Sequence, residues 1–90
     1  MLEAEVKIVN QLGLHARAAA QLVRLAGSFK SRIKLKRTDN NVVADAKSIL
    51  SVLTLAAARG TRLVIEADGA DEREALTAVA ELFTNGFGEI

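Results

Sequence analysis

The sequence contains no cysteine and only one histidine, His15, in 90 residues. Without cysteine the chain can have no disulfide, no thiolate nucleophile and no structural zinc site built on thiolates. With a single histidine it cannot form a multi-histidine metal site either. We therefore expect no metal and no bound cofactor, and covalent chemistry has few side chains available to it.

Long apolar runs and large aromatic side chains are also scarce. The longest apolar runs are far too short to cross a bilayer, so we expect a cytoplasmic protein that does not insert into a membrane. The chain has three phenylalanines, no tyrosine or tryptophan, and a net charge of +1. Nucleic-acid binders usually offer aromatic platforms and a strong positive field, so we interpret the basic run from Lys30 to Arg37 as the solvated side of a strand and expect no nucleic-acid partner.

Hydrophobic residues make up 50% of the chain and charged residues 26%, which is ordinary for a globular protein. A chain of 90 residues cannot support two cores. We therefore assign residues 1-90 to a single domain, which we expect to be a monomer.

Changes in the hydrophobic period mark the secondary structure. Apolar and polar residues alternate from Glu3 to Ile8, whereas apolar residues recur at helical spacing from Ala16 to position 27. The first pattern predicts a strand and the second an amphipathic helix. Similar patterns predict strands at 32–36, 42–43 and 63–67, a helix that begins near residue 47 or 48 and stops before Gly60, and a third helix that Gly86 closes.

The predicted order of elements is therefore β-α-β-β-α-β-α, in which each strand has one polar face. Helices can then cover only one side of the sheet. This predicts an α+β open-faced β-sandwich, with three helices on one side of a four-stranded, largely antiparallel sheet. Asp71 and Glu74 have the spacing of a capping box at the start of the third helix, which we prefer to a metal site for the acidic cluster around them.

His15 lies where a loop becomes the first helix, in the segment from Gly13 to Arg17. A helix N-terminus offers unpaired N–H groups and the positive end of the helix dipole, so an anion is favoured there. A neutral imidazole is nucleophilic, and Arg17 in the first helical turn can neutralise phosphate oxygens. These residues predict a phosphate site with a nucleophile inside it; the alternative is that His15 is a poor helix cap and Arg17 a solvated side chain.

The chain resembles the HPr family, the histidine-containing phosphocarrier proteins of the bacterial phosphoenolpyruvate-dependent phosphotransferase system. The resemblance covers essentially the whole chain and rests on Gly13-Leu14-His15-Ala16-Arg17, Leu22-Val23, Phe29, Ala46-Lys47-Ser48-Ile49 and Asp71-Glu72. It implies a carrier, not an enzyme, that accepts a phosphoryl group from enzyme I and passes it to IIA domains for sugar uptake. It also implies that His15 forms a transient pros-phosphohistidine and that Arg17 stabilises the phosphate.

One position departs from the family pattern, which usually has proline where this chain has Ala18. Proline fixes φ and suits the first turn of a helix. Its replacement should loosen the phosphate site slightly and add one N–H donor. We expect an effect on transfer potential but not on the identity of the nucleophile.

Ser48 stands near the start of the second helix, where its side chain can cap the helix. In the HPr family the matching serine is phosphorylated by a regulatory kinase in many bacteria. The resemblance therefore adds Ser48 as a regulatory phosphorylation site and HPr kinase/phosphorylase as a partner.

The second helix carries two apolar stripes, which together cover more of its circumference than one sheet can bury. Either neighbouring helices cover both stripes, or one stripe is a docking surface. We predict that Val52, Leu55 and Ala56 face the core. By the resemblance, the partner-binding residues for enzyme I and IIA domains are Ile49, Leu50 and Leu53.

Two other functions remain open at this point. The first is an HPr-like regulatory carrier in a nitrogen-related branch of the phosphotransferase system, which the sequence hardly distinguishes from a sugar-transport carrier. The second is a non-catalytic ligand-binding regulatory domain, because ferredoxin-like modules share the β-α-β-β-α-β order. A self-sufficient enzyme is disfavoured, because no nucleotide-binding glycine loop or acid-base pair accompanies His15.

Overall fold

The computed structural model describes residues 1–89 and has the order of elements predicted from the sequence. The strands are β1 (Leu2–Lys7), β2 (Arg32–Arg37), β3 (Val43–Asp45) and β4 (Arg62–Asp68). The helices are α1 (Ala16–Gly27), α2 (Ile49–Leu53) and α3 (Glu72–Thr84), and a short 3-10 helix, Gly86–Gly88, follows α3. The first helix has the bounds that its hydrophobic period predicted.

All strand pairs in the sheet are antiparallel, and the strand order is β1-β4-β2-β3. Ile65 in β4 lies opposite Ala4 on one side and Leu35 on the other. Alternate residues of β2 and β4 are buried under the helices, namely Ile33, Leu35, Leu63, Ile65 and Ala67. The other face of the sheet carries the charged side chains, so the predicted open-faced α+β sandwich is confirmed.

The two long helices supply the other half of the core. Leu22 of α1 and Phe83 of α3 are fully buried, and Ala18, Ala19 and Ala26 line the buried side of α1. The small side chains on that side suit close packing, and α1 packs beside both α2 and α3. Because α1 is packed in this way, the position of its N-terminus is fixed by the core.

The strand β3 lies slightly later than the predicted strand at 42–43. Asn41 has a φ of 61°, and the backbone N–H of Val42 donates to the Asn40 side-chain oxygen at 3.0 Å. These features keep Val42 in the turn that follows β2. The predicted β2–β3 hairpin itself is confirmed by the pairing of Leu35 with Ala44.

The second helix is much shorter than predicted, since α2 has only five residues. Ala56 adopts a φ of 49°, which ends the helical conformation, and its N–H donates to the carbonyl of Leu53 at 3.1 Å. The carbonyl of Leu55 accepts instead from the Arg37 guanidinium, at 2.8 Å. Val52 and Leu55 are buried as predicted, but Ala56 is exposed, so its assignment to the core was wrong.

The predicted capping box at the start of α3 is also wrong. Asp71 occupies the N-cap position, but its side chain makes no capping bond. Its carboxylate accepts hydrogen bonds from the backbone N–H groups of Lys30 and Ser31, at 2.8 and 2.9 Å. The backbone N–H of Gly69 donates to the side chain of Glu72, at 3.1 Å, so the residue after Asp71 meets the preceding turn. Spacing alone could not show that the loop after α1 competes for Asp71.

Candidate functional site

His15 is the N-cap residue of α1, with an extended backbone conformation of φ −73° and ψ 177°. Its carbonyl accepts the N–H of Ala19 at 2.8 Å and so begins the helix. Its imidazole makes no capping hydrogen bond and is 23% exposed. The ring is therefore not used to hold the helix together, and it lies at the positive end of the helix dipole.

The loop before His15 is held against the segment that follows α2. Gly13 has a φ of 66°, and a Cβ built on it would lie 2.5 Å from the carbonyl oxygen of Ala57. The next residue, Leu14, donates its N–H to that same oxygen at 2.9 Å. This close approach requires glycine at position 13, and it fixes the path by which the backbone reaches His15.

A residue distant in sequence, Glu89, contacts the imidazole. The Nε2 atom of His15 is hydrogen-bonded to Oε2 of Glu89, whose side chain is 18% exposed. The other carboxylate oxygen accepts from the side-chain amide of Asn10 at 3.2 Å. The pKa of Glu89 is lowered mainly by its hydrogen bond with His15. Desolvation of the carboxylate partly opposes this shift, and the hydrogen bond from Asn10 adds to it.

Sequence reasoning missed both Glu89 and Asn10. Glu89 is 74 positions away from His15, and neither residue belongs to a periodic pattern. The available signal was the sequence Gly86-Phe87-Gly88 before an acidic residue, because paired glycines often mark a backbone turn that carries a side chain to a specific place.

The turn that carries Glu89 is anchored by an aromatic contact. Phe87 is 3% exposed, and its ring meets that of Phe83 edge to face, with 5.1 Å between centroids and 73° between planes. Phe87 has a φ of 56°, between two glycines that also have positive φ, Gly86 and Gly88. Burial of the ring holds a backbone conformation that a non-glycine residue rarely adopts.

Arg17 is exposed in the first turn of α1 and lines an open depression together with Glu89. The same depression is lined by Gln11, Leu12 and Gly88. The positive charge of Arg17 also contributes to the lowered pKa of Glu89. The fold thus brings Arg17 and His15 to the same end of α1, as predicted. Glu89 is linked to both, because it is hydrogen-bonded to His15 and lines the depression with Arg17.

Ser48 is the N-cap of α2, as its position in the sequence suggested. Its hydroxyl oxygen accepts a hydrogen bond from the backbone N–H of Ser51 at 3.3 Å, and Ser48 is partly buried. Ser51 in turn uses its own hydroxyl to accept the N–H of Asp45 at 2.9 Å. The hydroxyl of Ser48 thus already has a structural use at the start of a short helix.

Three apolar side chains of α2 are exposed, and together they form what we call the α2 patch: Ile49, Leu50 and Leu53. Their exposed fractions are 39%, 74% and 37%. The helix packs beside α1, and Leu12 in the loop before His15 is a further exposed apolar residue, at 63%. Neighbouring helices therefore do not cover this stripe, which leaves it open on the surface of the domain.

Arg32, Lys34 and Lys36 of the basic run lie on the open face of the sheet, whereas Arg37 lies opposite buried Leu63 and its guanidinium donates to the carbonyl of Leu55 on the helix side. Arg32 pairs in register with Asp68, and Lys34 lies between Glu66 and Asp45 on the neighbouring strands. These acidic neighbours offset the charges of Arg32 and Lys34, which agrees with the solvated-strand interpretation for that side of β2 but not for Arg37. Within residues 1–89 there is no group of three or more histidine, cysteine, aspartate or glutamate side chains suited to a metal ion. No helix in the described part of the chain combines the length and apolar character needed to span a membrane.

The chain matches a known protein family over most of its length. The family described as "PTS HPr component phosphorylation site" matches residues 2–85. The phosphocarrier protein HPr of Cupriavidus necator is 49% identical over 89 residues, which are 99% of this chain and 98% of that protein. The phosphocarrier protein NPr of Escherichia coli is 43% identical over 84 residues, which are 93% of this chain and 92% of that protein.

Solved structures agree with the sequence comparison. The structure of HPr-C-His from Thermoanaerobacter tengcongensis has a TM-score of 0.93 and 38% identity, and the match covers 100% of this chain and 99% of that one. A structure described as an HPr dimer from the same organism has a TM-score of 0.77, also at 38% identity, covering 99% and 100%. The similarity therefore extends over the fold and the sequence together.

Proposed function

Because the chain belongs to the HPr family of phosphocarrier proteins of the bacterial phosphotransferase system, we propose that His15 is the residue that carries the phosphoryl group. We propose the pros isomer, with phosphorus on Nδ1. The observation that carries this proposal is the placement of the imidazole at the start of α1, without a capping role and in contact with Glu89, which lines a depression together with Arg17. A carrier of this kind is a substrate of other enzymes and not itself an enzyme.

The local electrostatics favour a transferred phosphoryl group. A neutral imidazole nitrogen attacks phosphorus while the bond to the donor breaks and its electron pair leaves with the donor. The first N–H groups of α1 and the helix dipole favour the negative charge that arrives. Arg17 is exposed on the first turn and is suited to hydrogen-bond the phosphoryl oxygens. Ala18 is fully buried where the family usually has proline, so we expect a difference in transfer potential.

The donor is proposed to be enzyme I, charged by phosphoenolpyruvate, and the acceptors IIA domains that serve sugar uptake. The α2 patch supports this proposal, because it exposes apolar surface on the helix that packs beside α1. A partner that covers Leu50 would approach His15 from the same side of the domain. Apolar contacts there would supply affinity, while the charged groups around His15 would supply the chemistry.

Ser48 is proposed as a second, regulatory phosphorylation site for HPr kinase/phosphorylase. A phosphate at the N-cap of α2 is electrostatically tolerable. Phosphorylation of the Ser48 hydroxyl would alter the hydrogen bond that this oxygen now accepts from the backbone N–H of Ser51. Mass spectrometry after incubation with ATP and the kinase should show one added phosphate. Ser48→Ala should abolish it, while Ser28→Ala should not; equal labelling of wild type and Ser48→Ala would contradict this assignment.

We also propose that the chain acts in the cytoplasm as a single monomeric domain, without nucleic-acid partners. Sedimentation equilibrium across a range of protein concentrations tests the monomer. Because a relative from Thermoanaerobacter tengcongensis is described as a dimer, a concentration-dependent rise in mass is the outcome that would overturn it.

The carrier proposal is tested by intact-protein mass spectrometry after incubation with phosphoenolpyruvate and a bacterial enzyme I. Wild type should gain one acid-labile phosphoryl group, and His15→Ala should gain none while keeping its circular-dichroism spectrum. A folded wild-type protein that gains no phosphate, or a His15→Ala variant that gains it equally, would contradict the proposal.

A regulatory carrier in a nitrogen-related branch is the second candidate, and the match to the NPr protein of Escherichia coli favours it. The phosphohistidine chemistry is the same in both cases, so only the acceptor distinguishes them. Phosphorylated protein should be offered separately to IIA domains of sugar permeases and of the nitrogen branch. Faster transfer to the nitrogen-branch domain would select the second candidate.

A further inference from the structure

Within residues 1–89, the side-chain hydrogen bond of the His15 ring is made by one of its two nitrogens, Nε2. Nε2 faces the carboxylate of Glu89, and the two side chains are in hydrogen-bond contact. An ionised carboxylate only accepts hydrogen bonds, so Nε2 carries the proton in this contact. In the neutral ring the lone pair is then on Nδ1.

The carboxylate of Glu89 is held by a second residue, Asn10. The Asn10 amide nitrogen donates to Glu89 at 3.2 Å and to the carbonyl of Gly13 at 2.8 Å. Asn10 is fully buried, and its amide oxygen has no partner within residues 1–89. A flipped amide would point this oxygen at two acceptors, so the orientation of Asn10 is fixed by its neighbours. Asn10 therefore joins the loop before His15 to the acid that contacts His15.

The turn that precedes Glu89 is also fixed. Phe87 is buried against Phe83, and it holds the Gly86–Gly88 turn in place two residues before Glu89. The contact with His15 thus has support from the core on one side and from buried Asn10 on the other. The fold therefore holds the two side chains in contact.

We propose that Glu89 is a positioning residue that determines which nitrogen of His15 takes the phosphoryl group. This inference rests on the proposed function of His15 and deepens it. By occupying Nε2, Glu89 leaves Nδ1 as the reacting atom: the bond from Nδ1 to phosphorus forms, the bond from phosphorus to the donor breaks, and its electron pair leaves with the donor. Nε2 keeps its proton, so no base is needed, and the positive charge that develops on the ring faces the carboxylate of Glu89.

A small donor tests this proposal without enzyme I. Phosphoramidate in its protonated form transfers its phosphoryl group to imidazole as the phosphorus–nitrogen bond breaks and ammonia leaves. The full chain should be treated with phosphoramidate as wild type, Glu89→Ala, Glu89→Gln and the control Glu74→Ala, which removes an exposed carboxylate of α3. The ratio of Nε2 to Nδ1 phosphohistidine is then read by nitrogen-15 and phosphorus-31 NMR.

Wild type and Glu74→Ala should give almost only the Nδ1 isomer. Glu89→Ala should raise the ratio of Nε2 to Nδ1 product about tenfold, as expected for loss of a hydrogen bond to a charged group. The ratio for Glu89→Gln should lie between those of wild type and Glu89→Ala, because its single amide oxygen can accept from either His15 or Asn10 but not from both. An unchanged ratio in Glu89→Ala, with its NMR spectrum still that of the folded chain, would overturn the proposal.

The nitrogen-15 spectrum of the untreated protein gives a second readout that needs no phosphoryl transfer. The neutral ring of wild type should carry its proton on Nε2, and a ring protonated on Nδ1 would also overturn the proposal. The carrier function is judged separately with enzyme I. If enzyme I fails to phosphorylate wild type while phosphoramidate gives the expected ratios, the carrier function is contradicted and the role of Glu89 is supported.

Discussion

The carboxylate of Asp71 accepts two hydrogen bonds from Ser31, one from the backbone N–H at 2.9 Å and one from the hydroxyl at 2.5 Å. The backbone N–H of Lys30 donates to the second oxygen of Asp71 at 2.8 Å. Together these bonds lower the pKa of Asp71 to about 2, with the Ser31 hydroxyl as the largest cause. Asp71 thus ties the start of α3 to the segment that connects α1 with β2.

We expect Asp71 to make stability depend on pH in the acidic range. Its pKa is lowered in the folded protein from an ordinary value of 3.8, so its stabilisation is fully present above about pH 4 and is lost as the pH falls through about 2. Urea unfolding should therefore show Asp71→Asn less stable than wild type at pH 7, with a difference that closes towards pH 2. Asp68→Asn, on an exposed carboxylate, serves as the control. A difference independent of pH would contradict the assignment.

Gly13→Ala should destabilise the domain by at least about 2 kcal/mol, because a left-handed backbone and a steric clash act together. The added Cβ would lie 2.5 Å from the Ala57 oxygen, on a backbone with a φ of 66°. Gly60→Ala is the matched control, since Gly60 has a φ of 91° but open space around a built Cβ. Its cost should be only the strain, about 1 kcal/mol. Equal losses for the two variants in urea unfolding would show that the contact with Ala57 is unimportant.

The parts of this fold that sequence could predict are those with a periodic signal. The buried face of α1 and the alternation in β4 both follow from hydrophobic spacing, and the capping role of Ser48 follows from its position before an apolar run. The length of α2 could not be predicted in this way. Ala56 leaves the helical conformation, and the carbonyl of Leu55 meets the guanidinium of Arg37, which comes from another part of the chain.

The site could be predicted only in part, for a similar reason. His15 and Arg17 were evident because a helix start is a local feature of sequence. Glu89 and Asn10 were not, because their hydrogen bonds form only after a buried phenylalanine and two glycines have turned the end of the chain back towards α1. The same holds for Asp71, whose carboxylate has long-range partners in place of the predicted local ones.

Arg17→Ala should slow phosphoryl acceptance from enzyme I by roughly tenfold to a hundredfold, which is what one or two charge-assisted hydrogen bonds to phosphate are worth. The single-turnover rate can be followed by quenched flow with labelled phosphoenolpyruvate. Arg24→Ala is the control, because it removes the same charge from the exposed last turn of the same helix. Equal rates for the two variants would show that Arg17 acts only through its positive charge and not through hydrogen bonds to the phosphoryl group.

Leu50→Asp should slow transfer between partners by roughly tenfold or more without unfolding the domain, since a carboxylate would have to be desolvated in an apolar interface. Leu50 is 74% exposed, so the free protein should tolerate the change. Val42→Asp places the same charge on another exposed apolar residue, in the turn after β2, and should leave transfer unchanged. Rates measured at increasing enzyme I concentration should recover for Leu50→Asp, because the defect is in affinity. If Leu50→Asp instead unfolds, as Val52→Asp in the core should, then Leu50 stabilises the domain and is not a docking residue.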